Sequence, residues 1–153
     1  MPRNISCNKC ELCKGVKNVC IWGEGPVPCD IMIVGRDPGE NEDVLGRPFV
    51  GPAGKMLDQL LVHGNIDRSK VYITNITKCR PPGNRQPTPD EKNVCQNYLL
   101  EEILAVNPKV IVTLGGDALE AITGLDKVMK IAGTTINIKK ETFGKPEVFQ
   151  RCV

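Results

Sequence analysis

Three short apolar runs constrain the fold more than anything else in the chain: Ile31-Met32-Ile33-Val34, Val71-Tyr72-Ile73-Thr74 and Val110 to Leu114. The first is continuously apolar, as expected of a strand covered on both faces of a parallel sheet. Helical patterns lie between the runs. Pro52 starts one, a favoured first-turn position, with Met56, Leu57, Leu60 and Leu61 as its apolar stripe and Gly64 as its stop. Thr88-Pro89-Asp90-Glu91 starts the next: Thr88 caps it, Glu91 completes a capping box, and Val94, Tyr98, Leu99 and Ile103 carry it. Gly115-Gly116-Asp117 leads into a short helix ending near Gly124. Beyond it, Thr135 to Lys139 alternates weakly and Val148-Phe149 reads as a last strand. Strand and helix in alternation predict an α/β fold, three-layer, with a mostly parallel central sheet flanked by helices. At 153 residues the chain holds one such domain, 1–153.

Open parallel sheets bind ligands beyond the carboxyl ends of their strands. Gly35 to Gly51, Asn75 to Thr88 and the segment from Gly115 onward all leave those ends, so they are expected to converge. Gly and Pro number 15 and 12, an excess that predicts long, shaped loops where sites tend to lie.

Composition removes several function classes. Basic and acidic residues nearly cancel, for a net charge of +2, so a strongly electrostatic nucleic-acid binder is not indicated. Aromatics are only 4%, too few for a broad stacking platform. No apolar run reaches the length of a membrane span, and the N-terminus shows no signal peptide. The expectation is a cytoplasmic protein, and that makes eight cysteines informative. In a reducing compartment they point to metal ligation before disulfides.

Cys7-x-x-Cys10 is a chelating pair, and Cys79 and Cys95 bracket a Pro-rich loop and the start of a helix. Four thiolates suit either Zn²⁺ or an iron–sulfur cluster. Cys13 repeats the two-residue gap after Cys10, so spacing leaves open both the metal and the choice between Cys7 and Cys13. The plain alternative is buried free thiols packing as small hydrophobes.

Asp37-Pro38-Gly39-Glu40-Asn41-Glu42-Asp43 places four carboxylates in seven residues after the first strand. A carboxylate there can orient or deprotonate a water. Phe49 follows between prolines and glycines, and Gly51 to Lys55 puts small residues, Gly54 among them, at a helix N-terminus suited to a phosphate. Carboxylate, aromatic and phosphate site together suggest a nucleotide unit.

These motifs, in this order and spacing, resemble the family-four iron–sulfur uracil-DNA glycosylases. The matching stretches are Cys7-Asn8-Lys9-Cys10, Val34-Gly35-x-x-Pro38-Gly39-x-x-Glu42-Asp43, Gly46 to Gly54, and Val71 to Arg85 with Lys78-Cys79-Arg80-Pro81-Pro82 inside it. Cys95 falls at the family's spacing. The resemblance implies a structural [4Fe–4S] cluster on Cys7, Cys10, Cys79 and Cys95. It implies that Phe49 stacks on a flipped uracil, that Asn75 bonds the base's Watson–Crick edge, and that Glu42 addresses the attacking water. Pro38 and Gly39 complete the base pocket. Lys78, Arg80, Asn84 and Arg85, with Gly54 and Lys55, are expected to contact DNA, single- or double-stranded. A monomer is expected.

The chain departs from the family in three places. Gly35-Arg36-Asp37-Pro38-Gly39 stands where Gly-Glu-Ala-Pro-Gly is usual, and three readings of Asp37 stand open: it narrows the pocket, alters base choice, or acts as an extra carboxylate beside Glu42. The family's His-Pro segment has no match, and the sole histidine, His63, reads as a helix-end residue. Val153 falls close to where that segment would begin. The variant also resembles glycosylase-like proteins related to phage DNA polymerases. Three functions follow as alternatives: a DNA-repair hydrolase, a non-catalytic nucleic-acid-binding module on the same scaffold, and a zinc-stabilised nucleotide-binding domain. The first is the leading expectation.

Overall fold

In the computed structural model, β1 (Ile31–Gly35) is the middle strand of a three-stranded parallel sheet. β2 (Tyr72–Asn75) lies on one side and β3 (Val110–Thr113) on the other. The structure describes residues 6–125, 128–138 and 149–150. The register sets Gly35 beside Asn75 at the carboxyl end of the sheet.

The two crossover helices take opposite faces. α2 (Pro52–His63) joins β1 to β2 and packs Leu57 and Leu61 on Ile33, Val71 and Ile73. α3 (Pro89–Val106) joins β2 to β3 and packs Leu99, Ile103 and Val106 on Met32, Val34 and Tyr72. Successive strand residues point to opposite faces, so an unbroken apolar run is what feeds both layers. α4 (Gly116–Thr123) adds Ala118 and Ile122 to the α3 layer. The expected caps form: Thr88 Oγ1 accepts the Glu91 amide and Glu91 Oε2 accepts the Thr88 amide.

Three local expectations shift. The stretch 36–51, read as loop, contains a short helix, α1 (Glu40–Leu45), started by Glu42 Oε2 accepting the Gly39 amide at 3.0 Å and stopped by left-handed Gly46. β2 begins one residue later than its apolar run, so Asn75 ends the strand instead of opening the loop. Only half of the α2 stripe is core: Leu57 and Leu61 are 6% exposed, Met56 and Leu60 64% and 62%. The outer pair lies along a cavity. The cysteine-bearing N-terminal segment runs beside β2, where Glu24 bridges Ile73.

The C-terminal portion holds a one-turn helix, α5 (Val128–Ile131), and an antiparallel pair, β4 (Asn137–Ile138) with β5 (Phe149–Gln150). The expected strand residues Lys139 and Val148, and also Cys152 and Val153, lie outside the described residues.

Candidate active site and cysteine centre

The three loops leaving the sheet do converge. They enclose a cavity of about 820 Å³ lined by Gly35, Arg36, Asp37, Phe49 and Asn75, with Gly115 to Asp117 closing it from the β3 side. Gly39, Glu42 and Asn84 also line it, whereas Pro38 is buried behind the wall.

Phe49 and Asn75 meet over Gly35. A β-carbon on Gly35 would lie 2.4 Å from Phe49 Cζ and 2.7 Å from Asn75 Oδ1, so only hydrogen fits between them. Phe49 has φ +53°, a left-handed conformation that costs a non-glycine residue free energy. Its backbone is held there from outside: Arg68 Nη2 donates to Phe49 O at 3.0 Å, and Gly54 packs so closely that a β-carbon would come within 2.0 Å of the same carbonyl oxygen. Gly54 is therefore a packing residue for Phe49 as well as part of the α2 first turn. Asn75 is buried, and its Oδ1 accepts no hydrogen bond. A buried acceptor left unmet costs about 1–3 kcal/mol, and this one belongs to a residue that lines the cavity.

The carboxylates divide by what they already hold. Glu42 is buried, and its oxygens take three backbone amides: Gly39 at 3.0 Å, Val50 at 2.9 Å and Gly51 at 2.7 Å. It ties the turn after β1 to the start of α2. Asp43 points away from the cavity and accepts the Lys17 and Asn18 amides. Asp37 lines the cavity with a side chain only 7% exposed, paired with Arg36. Burial raises its carboxyl above the ordinary range, Arg36 opposes the rise, and Asp117 adds to it.

The basic residues divide too. Lys78 was expected at the DNA surface, but it is 1% exposed and ion-paired with fully buried Glu102 on α3. The sequence places it in a polar loop, yet its partner lies 24 residues on and draws it inward. Glu102 was missed in sequence. Its signal was spacing: it shares a helix face with Cys95, Leu99 and Val106, an apolar stripe. Arg80 donates to Asn84 Oδ1 at 2.8 Å and lies 3.7 Å from Glu40. Arg85 forks onto Glu91 with two bonds and remains half-exposed, and Lys55 is exposed on α2. His63 ends α2 outside the cavity, its Nδ1 2.7 Å from Gln59 O.

Cys7, Cys10, Cys79 and Cys95 come together from the N-terminal turn, the loop after β2 and α3. Cys7 and Cys95 act electrostatically on Cys79, and Cys7 and Cys10 on Cys95. Burial pushes the Cys79 thiol up to about 12 and the Cys95 thiol up to about 11. Two donors already face sulfur: Tyr98 Oη–H to Cys7 Sγ and the Cys20 amide to Cys79 Sγ, both at 3.3 Å. Cys13 instead turns its thiol onto Cys10 O, and Cys29 sits in the core. Among the described residues no three ligating side chains gather closely enough for one metal ion. Four thiols are the donor set that an iron–sulfur cluster takes.

A model of the uracil DNA glycosylase superfamily matches residues 22–150. A type-4 uracil-DNA glycosylase of Thermotoga maritima is 47% identical over 133 residues, 86% of this chain and 69% of that protein. One from Archaeoglobus fulgidus is 46% identical over 121 residues, 79% of this chain and 60% of that protein. A DNA polymerase of Bacillus phage SP01 is 33% identical over 122 residues, 79% of this chain but only 13% of the phage protein. The chain thus spans about two thirds or less of the length of these relatives.

Proposed function

The chain belongs to the uracil-DNA glycosylase superfamily, and from that premise we propose that it excises uracil from DNA by hydrolysing the N-glycosidic bond. The observation that carries the reading is the unmet Asn75 Oδ1 in a cavity walled by Phe49. Uracil offers an N3–H donor to that oxygen. Cytosine offers a lone pair at the same position and leaves the acceptor orphaned. A base rotated out of the helix would stack on the Phe49 ring and present this edge.

We assign the water to Asp37: of the other carboxylates lining the cavity, Glu42 accepts three backbone amides, Glu40 is exposed and Asp117 pairs with Lys92. Water's oxygen bonds to C1′, its proton passes to Asp37, and the glycosidic electron pair leaves with the base. A raised carboxyl is the better proton acceptor. Glu42 acts on the reaction by holding the turn that carries Asp37.

Cys7, Cys10, Cys79 and Cys95 would hold a [4Fe–4S] cluster. When bound it supplies covalent ties between the N-terminal turn, the loop after β2 and α3. Arg80, Arg85, Lys55 and Asn84 would meet the DNA backbone, beside the first-turn amides of α2. The partner is uracil-containing DNA, the working form a monomer, and the setting the cytoplasm. Among the described residues no helix is long and apolar enough to cross a membrane.

A second reading, a binding module without chemistry, has the committed oxygens of Glu42 in its favour. One assay separates the two. Protein in excess is incubated with uracil-containing single-stranded DNA, and abasic sites are cleaved with alkali. Cleavage abolished by Asp37→Asn and Asn75→Ala supports the enzyme. Binding to the same DNA with no cleavage at any time establishes the module.

A further inference from the structure

We propose that the buried Lys78–Glu102 pair is the positioning device for Asn75 and so governs how well the pocket accepts uracil. The inference rests on the reading of Asn75 as the base-contacting residue. The Lys78 ammonium spends its three donors on Thr74 Oγ1 at 2.8 Å, Asn75 O at 2.7 Å and Glu102 Oε2 at 2.5 Å. Glu102 in turn accepts the Gly23 amide at 2.6 Å, the Tyr72 hydroxyl at 3.1 Å and the Thr74 hydroxyl at 2.8 Å. One ion pair thus joins the end of β2, the N-terminal segment and α3.

Stability alone gives no reason for the pair. Taking two charges out of water is costly, and apolar replacements of similar volume are often as stable or more so. What an apolar pair cannot do is hold a carbonyl. Lys78 grips the Asn75 peptide from its oxygen, while the next amide, that of Ile76, is bonded to Gly35 O at 2.9 Å. With the peptide after Asn75 held at both oxygen and nitrogen, the Asn75 side chain leaves the strand in one direction, toward Phe49. Lys78 also directly precedes Cys79, so the grip lies between the pocket and the cysteine centre.

The test compares wild type with the charge-free double variant Lys78→Met/Glu102→Leu and with Glu102→Gln. Readouts are melting temperature, iron–sulfur absorbance, kcat and KM on uracil-containing DNA, and the Asn75 side-chain amide resonance with and without free uracil. Expected are a melting temperature and absorbance close to wild type, kcat lowered about 10²-fold, as a small misplacement of a positioning group can cause, a smaller change in KM, and a displaced Asn75 resonance. Glu102→Gln, which keeps the shape, should show the same kcat loss and displaced resonance even if the double variant does not fold. Wild-type kcat and an unmoved Asn75 resonance in Glu102→Gln overturn the proposal. A wild-type protein that binds DNA without cleaving it fails the functional reading instead, and the Asn75 resonance then still decides for or against the pair.

Discussion

Glu42 Oε1 lies 2.7 Å from the amide nitrogen of Gly51, nine residues further along the chain. That bond, with those to Val50 and Gly39, makes Glu42 the clasp of the loop that builds one wall of the cavity. Removing it leaves backbone amides unmet in a buried place. Glu42→Ala should lower unfolding free energy by about 3 kcal/mol or more, since each of the three bonds to this charged acceptor is worth about 1.5–3 kcal/mol. Urea denaturation followed by circular dichroism measures this. An activity loss with unchanged stability would move Glu42 back to the water.

Asp37 should behave in the opposite way. Burial raises its carboxyl above the unfolded value, so the folded protein holds this proton more tightly than the unfolded chain. Its contribution to stability is present below the unfolded value and is lost as pH rises through the folded one. Asp37→Asn should therefore be at least as stable as wild type at neutral pH while losing excision. Wild-type excision should rise with pH through the raised value, because only the carboxylate accepts water's proton. A thermal melt and a single-turnover pH profile check both halves.

Gly35→Ala should fold and fail to work. The added methyl meets Phe49 and Asn75 at once, and the ring has no slack because its carbonyl is fixed by Arg68 and Gly54. Excision should fall by about 10²-fold or more, as expected when positioning groups shift by an ångström. Weakened retention of free uracil in equilibrium dialysis would report the same defect without turnover.

The cysteines should sort by place. Cys79→Ser and Cys95→Ser should lose the brown iron–sulfur absorbance and bound iron. Cys13→Ser should keep both, its thiol being engaged with Cys10 O. Cys20→Ala should also keep them, because the Cys20 amide that bonds Cys79 belongs to the backbone and survives the change. Iron and sulfide analysis of each variant gives the outcome.

DNA binding should depend modestly on salt. With Lys78 turned inward, Lys55, Arg80 and Arg85 remain for phosphates. Three contacts imply a slope of log affinity against log salt of roughly −2 on single strands. Lys78→Met should leave that slope unchanged, whereas Arg80→Ala should reduce it. Fluorescence anisotropy across a salt series distinguishes them.

What was legible in the sequence was local or periodic. Pro52 and the Thr88–Glu91 box announced their helices, and the apolar runs announced a parallel sheet whose loops had to meet. The helix at Glu40–Leu45 escaped because its start depends on a carboxylate bonding back to Gly39, which a cluster of acids does not reveal. Lys78 escaped for the complementary reason. Side-chain direction at a strand end follows from a partner on another element, and no window of sequence contains both. That three backbone amides fold over Glu42 while Asp37 meets the Arg36 side chain is likewise a tertiary fact.

The fit of Gly35 between Phe49 and Asn75 bears on where the pocket can change. Any amino-acid replacement at Gly35 brings a side chain into occupied space, so that wall is closed to change by a single substitution there. The neighbouring Arg36 and Asp37 line the open part of the cavity instead, so it is there that an exchanged side chain would reshape the pocket.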